Sequence, residues 1–439
     1  MVIKERQMRK IAFIGGGSAK FIRELAVDLF SFENLRESLI CLMDINEERA
    51  NLSKQLLQKM IKDRNLPAKV EVTTSQRSAL KNADYIVISI MVGGHASYFS
   101  DVEIPKKYGI FQTVSDTTGP GGIMRILRTA PVLKELAENA QELCPKAWIL
   151  NYANPMTMNT KVLNICGHSR TVGLCHSIQG SMGWYMGSWL GVKPEEIDYF
   201  AAGINHRNFY LKLEHKGRDL YPVLKSLEKK IVKERPIEKP RFELMKYLGY
   251  FPAEGPIHQA EYYQWFLKDM KRAKHYAAEI GGGYRWDTTN FYNRTKEVKA
   301  QISGKIPISY QRSCEFGAWI INALETGSCL KIYGNVPNNG LISNLPSSAI
   351  VEVPCAVDRE GILPCAVGEI PPQLAAVMLP HISLDEMAVK AVLTKDRTLL
   401  RQAMQADPLT GAVLTLPEIE NMFNDLFKAN KAYHGGKWN

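Results

Sequence analysis

The 439-residue sequence has no long apolar run and few cysteines. No apolar stretch approaches the roughly 18 residues that a membrane-spanning helix needs. The 8 cysteines form no C-x-x-C pair and no tight framework, so we expect no disulfides and a reducing compartment. Only a short apolar run precedes the first glycines, which does not make a signal peptide. These absences predict a soluble, cytoplasmic protein with no membrane partner.

Clustered basic residues are lacking as well. The net charge is +10, but the densest basic run, residues 225–241, is interleaved with glutamates. We interpret that run as a solvated helix face, since a nucleic-acid groove needs clustered bases with aromatic residues between them. The sequence has no internal repeats and no low-complexity segment, and its 45% hydrophobic residues are typical of globular proteins. No nucleic-acid partner is predicted.

A glycine turn stands near the start of the chain. A short buried strand ends at Ile14, Gly15-Gly16-Gly17-Ser18 follows, and an apolar-periodic helix begins directly afterwards. Strand, glycine turn and helix are the context of a dinucleotide site, because the helix N-terminus offers N–H groups to a pyrophosphate. Gly15, Gly17 and Ser18 are the candidate cofactor residues. Lys20 replaces the third glycine, so an ordinary strand–helix turn is the alternative.

The next strands continue the pattern of a parallel sheet. The strand from Ser38 ends in Asp44, whose carboxylate can accept both hydroxyls of an adenosine ribose and would repel a 2′-phosphate. This favours NAD over NADP. Gly93 follows a β-branched strand at the edge of the sheet where ligands bind, and it is the last candidate cofactor residue.

Three possible metal ligands follow later strands. Cys175 and His176 come after the apolar run from Thr171, and His206 ends another apolar run thirty residues on. Thiolate and imidazole suit a divalent transition metal, although a buried cysteine and core histidines are the alternative. Asn154 stands at the tip of the preceding strand, where its amide orients a sugar hydroxyl or caps a helix.

The pattern changes after residue 196. We predict a Rossmann-type doubly wound parallel sheet in residues 1–196 and an α+β substrate-binding and oligomerisation domain in residues 197–439. A single strand is expected over residues 199–213, with Asn205 and His206 in it, and a hairpin turn over residues 215–219. Residues 251–266 are rich in polar and aromatic groups and suggest a substrate wall, whereas residues 275–305 suggest a mobile polar stretch.

These residues together resemble glycoside hydrolase family 4, the NAD- and metal-dependent glycosidases. The resemblance covers residues 11–425 and is carried by motifs in order along the chain. They are Phe13 to Ser18, Leu42 to Ile45, Thr118 to Arg125, Leu150 to Met156, Gly173 to Ser177, Gln179-Gly180, Gly203 to His206, Ile332 to Asn335, Gly340 to Pro346 and Val351 to Val353. Cys-His-Ser followed by Gln-Gly resembles the α-galactosidase branch of that family.

The resemblance implies a mechanism and a set of roles. NAD⁺ takes a hydride from C3 of the sugar, a base removes the acidified C2 proton, the C1–O bond breaks by elimination, and the hydride returns after water adds. Cys175 and His206 would bind the metal, which we expect to be Mn²⁺, and Asn154 would contact a sugar hydroxyl. Tyr262 is the candidate base, and His176 would assist the leaving group or bind the sugar. A fold similar to lactate and malate dehydrogenases and a homo-oligomer, dimer or tetramer, are also implied.

Several alternatives stay open at this point. An α-glucosidase or an α-galacturonidase of the same family differs from an α-galactosidase only in pocket contacts that the sequence does not locate. A lactate- or malate-type dehydrogenase would share the glycine turn and Asp44 but would lack the Cys-His site. A redox-sensing NAD-binding regulator without turnover would bind NAD and would not need a metal.

Overall fold

One continuous 12-stranded sheet organises the protein. The structure is a computed structural model, and it describes residues 8–438. The strands are β1 (Arg9–Ile14), β2 (Ser38–Met43), β3 (Lys69–Thr73), β4 (Tyr85–Ile88), β5 (Trp148–Asn151), β6 (Thr171–Gly173), β7 (Asp198–Ile204), β8 (Arg207–His215), β9 (Arg218–Asp219), β10 (Leu330–Pro337), β11 (Ile350–Asp358) and β12 (Gly361–Pro364).

Helices connect these strands and cover the sheet. They are α1 (Ala19–Ser31), α2 (Glu47–Asp63), α3 (Gln76–Leu80), α4 (Gly94–Lys107), α5 (Gly119–Leu143), α6 (Met156–Ile165), α7 (Ser177–Ser181), α8 (Gly187–Leu190), α9 (Tyr221–Glu234), α10 (Lys239–Leu248), α11 (Pro256–Glu261), α12 (Met270–His275), α13 (Gly282–Ile302), α14 (Gly317–Thr326), α15 (Pro372–Thr394), α16 (Arg397–Gln405), α17 (Pro408–Val413) and α18 (Leu416–Ala429). Short 3₁₀ turns span Glu33–Leu35, Pro194–Glu196 and Pro236–Glu238, and a π-helical turn spans Met182–Met186.

The first six strands form the parallel half of the sheet. Their order is β3-β2-β1-β4-β5-β6, and every neighbouring pair is parallel. This is the strand order of a dinucleotide-binding fold. All of β4 and the part of β1 from Ile11 onward are buried, which explains why these segments are continuous runs of apolar residues such as Ile11, Phe13, Ile86 and Val87. The expected doubly wound fold is confirmed.

The remaining strands extend the same sheet in antiparallel fashion. β10 joins β6 through the pair Asn335 and Gly173, and β11, β7, β8 and β9 follow in order, with β12 on β11. The expected α+β second half is therefore present. The division into two domains at residue 196 stays a prediction.

The single strand expected over residues 199–213 is wrong. Two antiparallel strands, β7 and β8, occupy this region, and Ile204 pairs with Arg207 across a two-residue turn. His206 takes a positive φ of 62° there, a backbone conformation that histidine tolerates better than branched residues do. The apolar run on both sides of Asn205 concealed the reversal. The hairpin turn expected over residues 215–219 is confirmed by the pairing of β8 with β9.

Most of residues 275–305, the polar stretch that the sequence suggests is mobile, forms α13, a helix of 21 residues. Gly281 precedes the helix with φ 65°, and a β-carbon at Gly283 would lie 2.8 Å from Val114. Only Val298 and Gln301 are fully buried on the helix, which explains the polar composition. No helix within residues 8–438 is both long and apolar enough to cross a membrane.

Candidate active site

The glycine turn lies between β1 and α1, as its sequence predicts. Gly15 takes φ 98°, and a β-carbon there would overlap the carbonyl oxygen of Ser89 beyond β4. The Gly17 N–H donates a 2.8 Å hydrogen bond to Oδ2 of Asp44, and the Asn46 N–H donates a 2.9 Å bond to Oδ1. The turn and the carboxylate at the tip of β2 therefore form one unit.

The N-terminus of α1 is suited to an anion. Ser18 precedes the helix without a side-chain capping bond, and the first turn has no acidic residue. Its N–H groups and the positive end of the helix dipole are therefore available to a pyrophosphate. Gly93, with φ 87°, precedes α4 at the same edge of the sheet. The N–H groups that follow Ser18 fit the pyrophosphate of a dinucleotide, and the Asp44 carboxylate fits the hydroxyls of its ribose.

Asn154 and Cys175 follow neighbouring parallel strands, β5 and β6. The Asn154 amide donates a 2.9 Å hydrogen bond to Oδ2 of Asp116. Pro155 occupies the N-cap position of α6, and no side chain caps that helix, so the alternative of Asn154 as a cap is wrong. Cys175 is 8% exposed at the end of the β6 run. Both side chains lie at the carboxyl edge of the sheet, where open α/β sheets bind ligands.

Cys175, His206 and Glu254 form a cluster whose ligand atoms all lie within 4.8 Å of one another. His206 Nε2 is 3.3 Å from Glu254 Oε2, and Cys175 Sγ is 3.9 Å from the same oxygen. The turn between β7 and β8 delivers His206, and the segment after α10 delivers Glu254. We call these three residues the cation cluster.

The chemistry of the cation cluster fits a divalent cation. Burial lowers the pKa of His206 to about 4 despite the opposing effect of Glu254, so the imidazole is neutral, as a metal ligand must be. Burial, reinforced by Glu254 and Glu352, raises the pKa of Cys175 well above its usual range. When a divalent cation binds the sulfur of such a thiol, the cation displaces the thiol proton. One sulfur, one nitrogen and one carboxylate oxygen leave further positions for a ligand.

Tyr262 contacts the cation cluster through His206. Its hydroxyl lies 2.8 Å from His206 Nδ1 and 2.7 Å from Nδ1 of His258, so it is hydrogen-bonded to two imidazoles. Burial, with the nearby Glu261, Asp116 and Glu254 carboxyl groups, raises the pKa of Tyr262 well above its usual range. The phenol is therefore neutral without an added positive charge, and a cation beside His206 would oppose this shift.

His176 lies at the outer rim and not in the cluster. Its side chain is 52% exposed, and Nδ1 is 3.1 Å from Oε1 of Glu315. The packing around the ring opposes its charge, but Glu315 outweighs this and raises the pKa of His176. The imidazole can therefore carry a proton at the mouth of the site.

Sequence reasoning missed part of this site. Asp116 is absent from the predicted site residues, and Glu254, His258 and Glu261 lie within residues 251–266, which the sequence predicts only as a polar substrate wall. Asp116, His258 and Glu261 form a second group within 4.8 Å beside the first. Burial disfavours charge on Asp116, but His258, Arg125 and His206 outweigh it and lower its pKa to about 2. The position of Asp116 just before the Thr118 to Arg125 motif was the available signal.

Glu261 anchors the loop that carries Asp116. Its carboxyl group accepts hydrogen bonds from the N–H groups of Val114 and Ser115 and from the hydroxyl of Thr113. Burial raises the pKa of Glu261 to about 7. A fixed loop, a neutral phenol between two imidazoles and a cation cluster can together bind an oxygen-rich ligand and move a proton within it.

Comparison with known proteins matches both halves of the chain to one family. Residues 10–186 match the model of family 4 glycosyl hydrolases, and residues 201–410 match the C-terminal domain of that family. An α-galactosidase of Bacillus subtilis is 38% identical over 96% of this chain and 98% of its own. An α-galacturonidase of Lachnoclostridium phytofermentans is 32% identical over 98% of this chain and 97% of its own.

Solved structures agree with this assignment of the fold. A Bacillus subtilis protein named as a glucosidase has a TM-score of 0.86 at 29% identity, covering 95% of this chain and 99% of its own. A 6-phospho-β-glucosidase of Thermotoga maritima, solved with manganese, NAD⁺ and glucose-6-phosphate, has a TM-score of 0.81 at 22% identity, covering 97% and 99%. A lactate dehydrogenase of Eimeria maxima has a TM-score of 0.53 at 14% identity, covering 89% and 97%, which bears on the fold alone.

Proposed function

The chain belongs to the family 4 glycosyl hydrolases, and on that premise we propose that it hydrolyses α-galactosides with the help of NAD⁺ and a divalent cation. The α-galactosidase relative covers almost the whole chain and supports this choice of sugar. The observation that carries the proposal is the cation cluster, which is hydrogen-bonded through His206 to Tyr262 and lies at the same sheet edge as the glycine turn. A plain dehydrogenase or a regulator has no need of that combination.

The two cofactors have separate binding residues in this proposal. Gly15, Gly17, Ser18, Asp44 and Gly93 would hold NAD⁺. Cys175, His206 and Glu254 would hold the cation, which we expect to be Mn²⁺. When bound, the pair would supply reversible hydride removal at C3 and polarisation of the neighbouring sugar oxygens.

Tyr262 is the proposed base for the C2 proton. Its hydroxyl can pass a proton to Nδ1 of His258, 2.7 Å away, while Nδ1–H of His206 donates to the same phenol oxygen at 2.8 Å. A histidine that binds a cation through Nε2 carries its proton on Nδ1, so this second bond stabilises the deprotonated phenol. Buried tyrosine thereby becomes a usable base only when the cation cluster is loaded.

Two residues act on the rest of the sugar. Asn154, oriented by its bond to Asp116, would hold a sugar hydroxyl. His176, whose pKa Glu315 raises, would give a proton to the departing glycosidic oxygen from Nε2.

A reaction in D₂O tests the proposal. The enzyme with catalytic NAD⁺ and Mn²⁺ is given p-nitrophenyl α-galactoside, and the released galactose is examined by NMR. We expect hydrolysis with deuterium at C2 and no net NADH. Galactose that keeps protium at C2 would refute proton removal there, and NADH equal to product would indicate a dehydrogenase. A panel of α-glucosides and α-galacturonides under the same conditions identifies the sugar, and preference for either would overturn the choice of galactose.

A further inference from the structure

Trp184 presents an exposed indole at the mouth of the candidate active site. The residue is 50% exposed, whereas tryptophan is highly buried on average. It lies in the π-helical turn Met182–Met186 that directly follows α7. π-Helical turns are frequent at functional sites because the extra residue changes the direction of the following side chains. Here the turn directs the indole toward the rim.

The indole has neighbours that hold it at this rim. Its ring meets the His176 imidazole edge-on, with centroids 5.2 Å apart and planes at 68°. A β-carbon at Gly180 would lie 2.6–2.8 Å from three atoms of the six-membered ring. The ring therefore packs directly against the main chain of Gly180, where no larger residue fits. Tyr185 meets the indole edge-on as well, at 6.2 Å.

The burial of the cation cluster and Tyr262 determines which part of a substrate can contact the Trp184 indole. Cys175 is 8% exposed, His206 4% and Tyr262 0%, so a galactosyl unit bound at the cation cluster lies in the buried part of the site. The leaving group is then the part of the substrate that extends outward from the galactosyl unit, past the half-exposed His176. The C–H bonds of a sugar ring carry partial positive charge, which matches the negative face of an aromatic ring.

We propose that Trp184 is the binding platform for a sugar ring in the leaving group, an inference that rests on the proposed function. The substrate class is then an oligosaccharide with a terminal α-galactosyl unit. Apolar area buried between the indole and the second sugar holds the glycosidic oxygen beside His176. A leaving group without a ring gains nothing from this contact.

The test compares two substrates in the NAD⁺- and Mn²⁺-loaded enzyme. Melibiose has a glucose ring as its leaving group, and α-galactosyl fluoride has a single atom. We expect Trp184→Ala to lower the ratio of kcat/KM for melibiose to kcat/KM for the fluoride about tenfold, which corresponds to removal of one well-packed ring contact. Trp184→Phe should restore most of the ratio. Tyr247→Ala removes another exposed aromatic ring, on α10, and should leave the ratio unchanged.

Gly180→Ala tests independently whether the Trp184 indole contributes to this ratio. The added methyl group displaces the indole, so the ratio should fall as in Trp184→Ala, and the double variant should fall no further. An unchanged ratio in both single variants overturns the proposal. Equal loss on both substrates, or a change in oligomeric state by light scattering, shows a structural or interface role and also overturns it. If the wild type turns over neither substrate, the proposed function fails, and the platform fails with it.

Discussion

The glycine turn and the cation cluster lie at the same edge of the sheet, but the chain builds them differently. The turn uses consecutive residues and main-chain groups, to which Asp44 at the next strand tip adds a carboxylate. The cation cluster joins side chains from three segments, and Cys175 and Glu254 are 79 residues apart. The turn therefore depends on a local conformation, whereas the cluster depends on correct packing of β6, the β7–β8 turn and the segment after α10.

Burial separates the two regions further. Cys175, His206, Glu254 and Tyr262 are buried together, and the charge of Glu254 acts to raise the pKa of each of the other three groups. Asp44 is only partly buried and is held by two N–H groups. Substitution in the cluster should therefore abolish chemistry, while substitution in the turn should weaken binding by degrees.

Loss of a cluster ligand should have the largest effect. We expect Cys175→Ser and His206→Ala to abolish turnover and Mn²⁺ binding, because a direct ligand matters more than the outer residues whose loss weakens a metal site about 10–100-fold. Isothermal titration with Mn²⁺ and a turnover assay measure this. Cys365→Ser, at an exposed cysteine, is the control. Full metal-dependent turnover in either ligand variant would contradict the assignment.

Removal of one hydroxyl should come next. We expect Tyr262→Phe to lower kcat about 10²–10⁴-fold, the usual contribution of a positioned base, while Mn²⁺ still binds. Tyr263→Phe is a matched control, since its neighbouring buried hydroxyl has no hydrogen-bond partner within residues 8–438. Near-normal kcat in Tyr262→Phe would assign the base to another residue.

These two regions also show how much the sequence could predict. The glycine turn, Asp44 and the strands of the parallel half are local or periodic features, and the sequence predicts them where the structure has them. Cys175 and His206 were paired by motif, and the structure brings them together with Glu254. The sequence does not predict the grouping of Asp116 with His258, because only tertiary packing unites the loop before α5 with α11. The roles of all these residues stay predictions.

A smaller effect is expected at the glycine turn. Asp44→Ala removes a charged acceptor from the ribose, and each such hydrogen bond contributes about 1.5–3 kcal/mol. With both hydroxyl bonds lost, NAD⁺ should therefore bind on the order of 10²–10⁴-fold more weakly, with kcat recovered at high NAD⁺. Fluorescence titration with NAD⁺ measures the change, and Glu47→Gln, at an exposed acid in the first turn of α2, is the control. Unchanged NAD⁺ affinity would remove Asp44 from the site.

Substitution of Glu352 should have the smallest effect on activity and should change how the stability of the protein depends on pH. This fully buried residue of β11 accepts hydrogen bonds from Asn208 and Asn335, and it pairs with Gly203 on the hairpin that carries His206. Burial, with the nearby Glu254, raises the pKa of Glu352 to about 8, well above the usual range of a carboxyl group. The folded protein thus keeps a proton that the unfolded chain releases above its lower pKa.

The Glu352 proton adds to the free energy of unfolding, and this contribution is fully present below about pH 4.5 and is lost as the pH rises through about 8. The loss is on the order of a few kcal/mol. Glu352→Gln keeps the hydrogen-bonding shape without the titration. Its urea midpoint should therefore fall less between pH 5.5 and pH 8 than that of the wild type. Glu360→Gln, at an exposed acid beside β12, should follow the wild type. If the urea midpoints of all three proteins fell equally between pH 5.5 and pH 8, Glu352 would be ionised in the folded protein. A charged carboxylate would then lie beside the hairpin that carries His206.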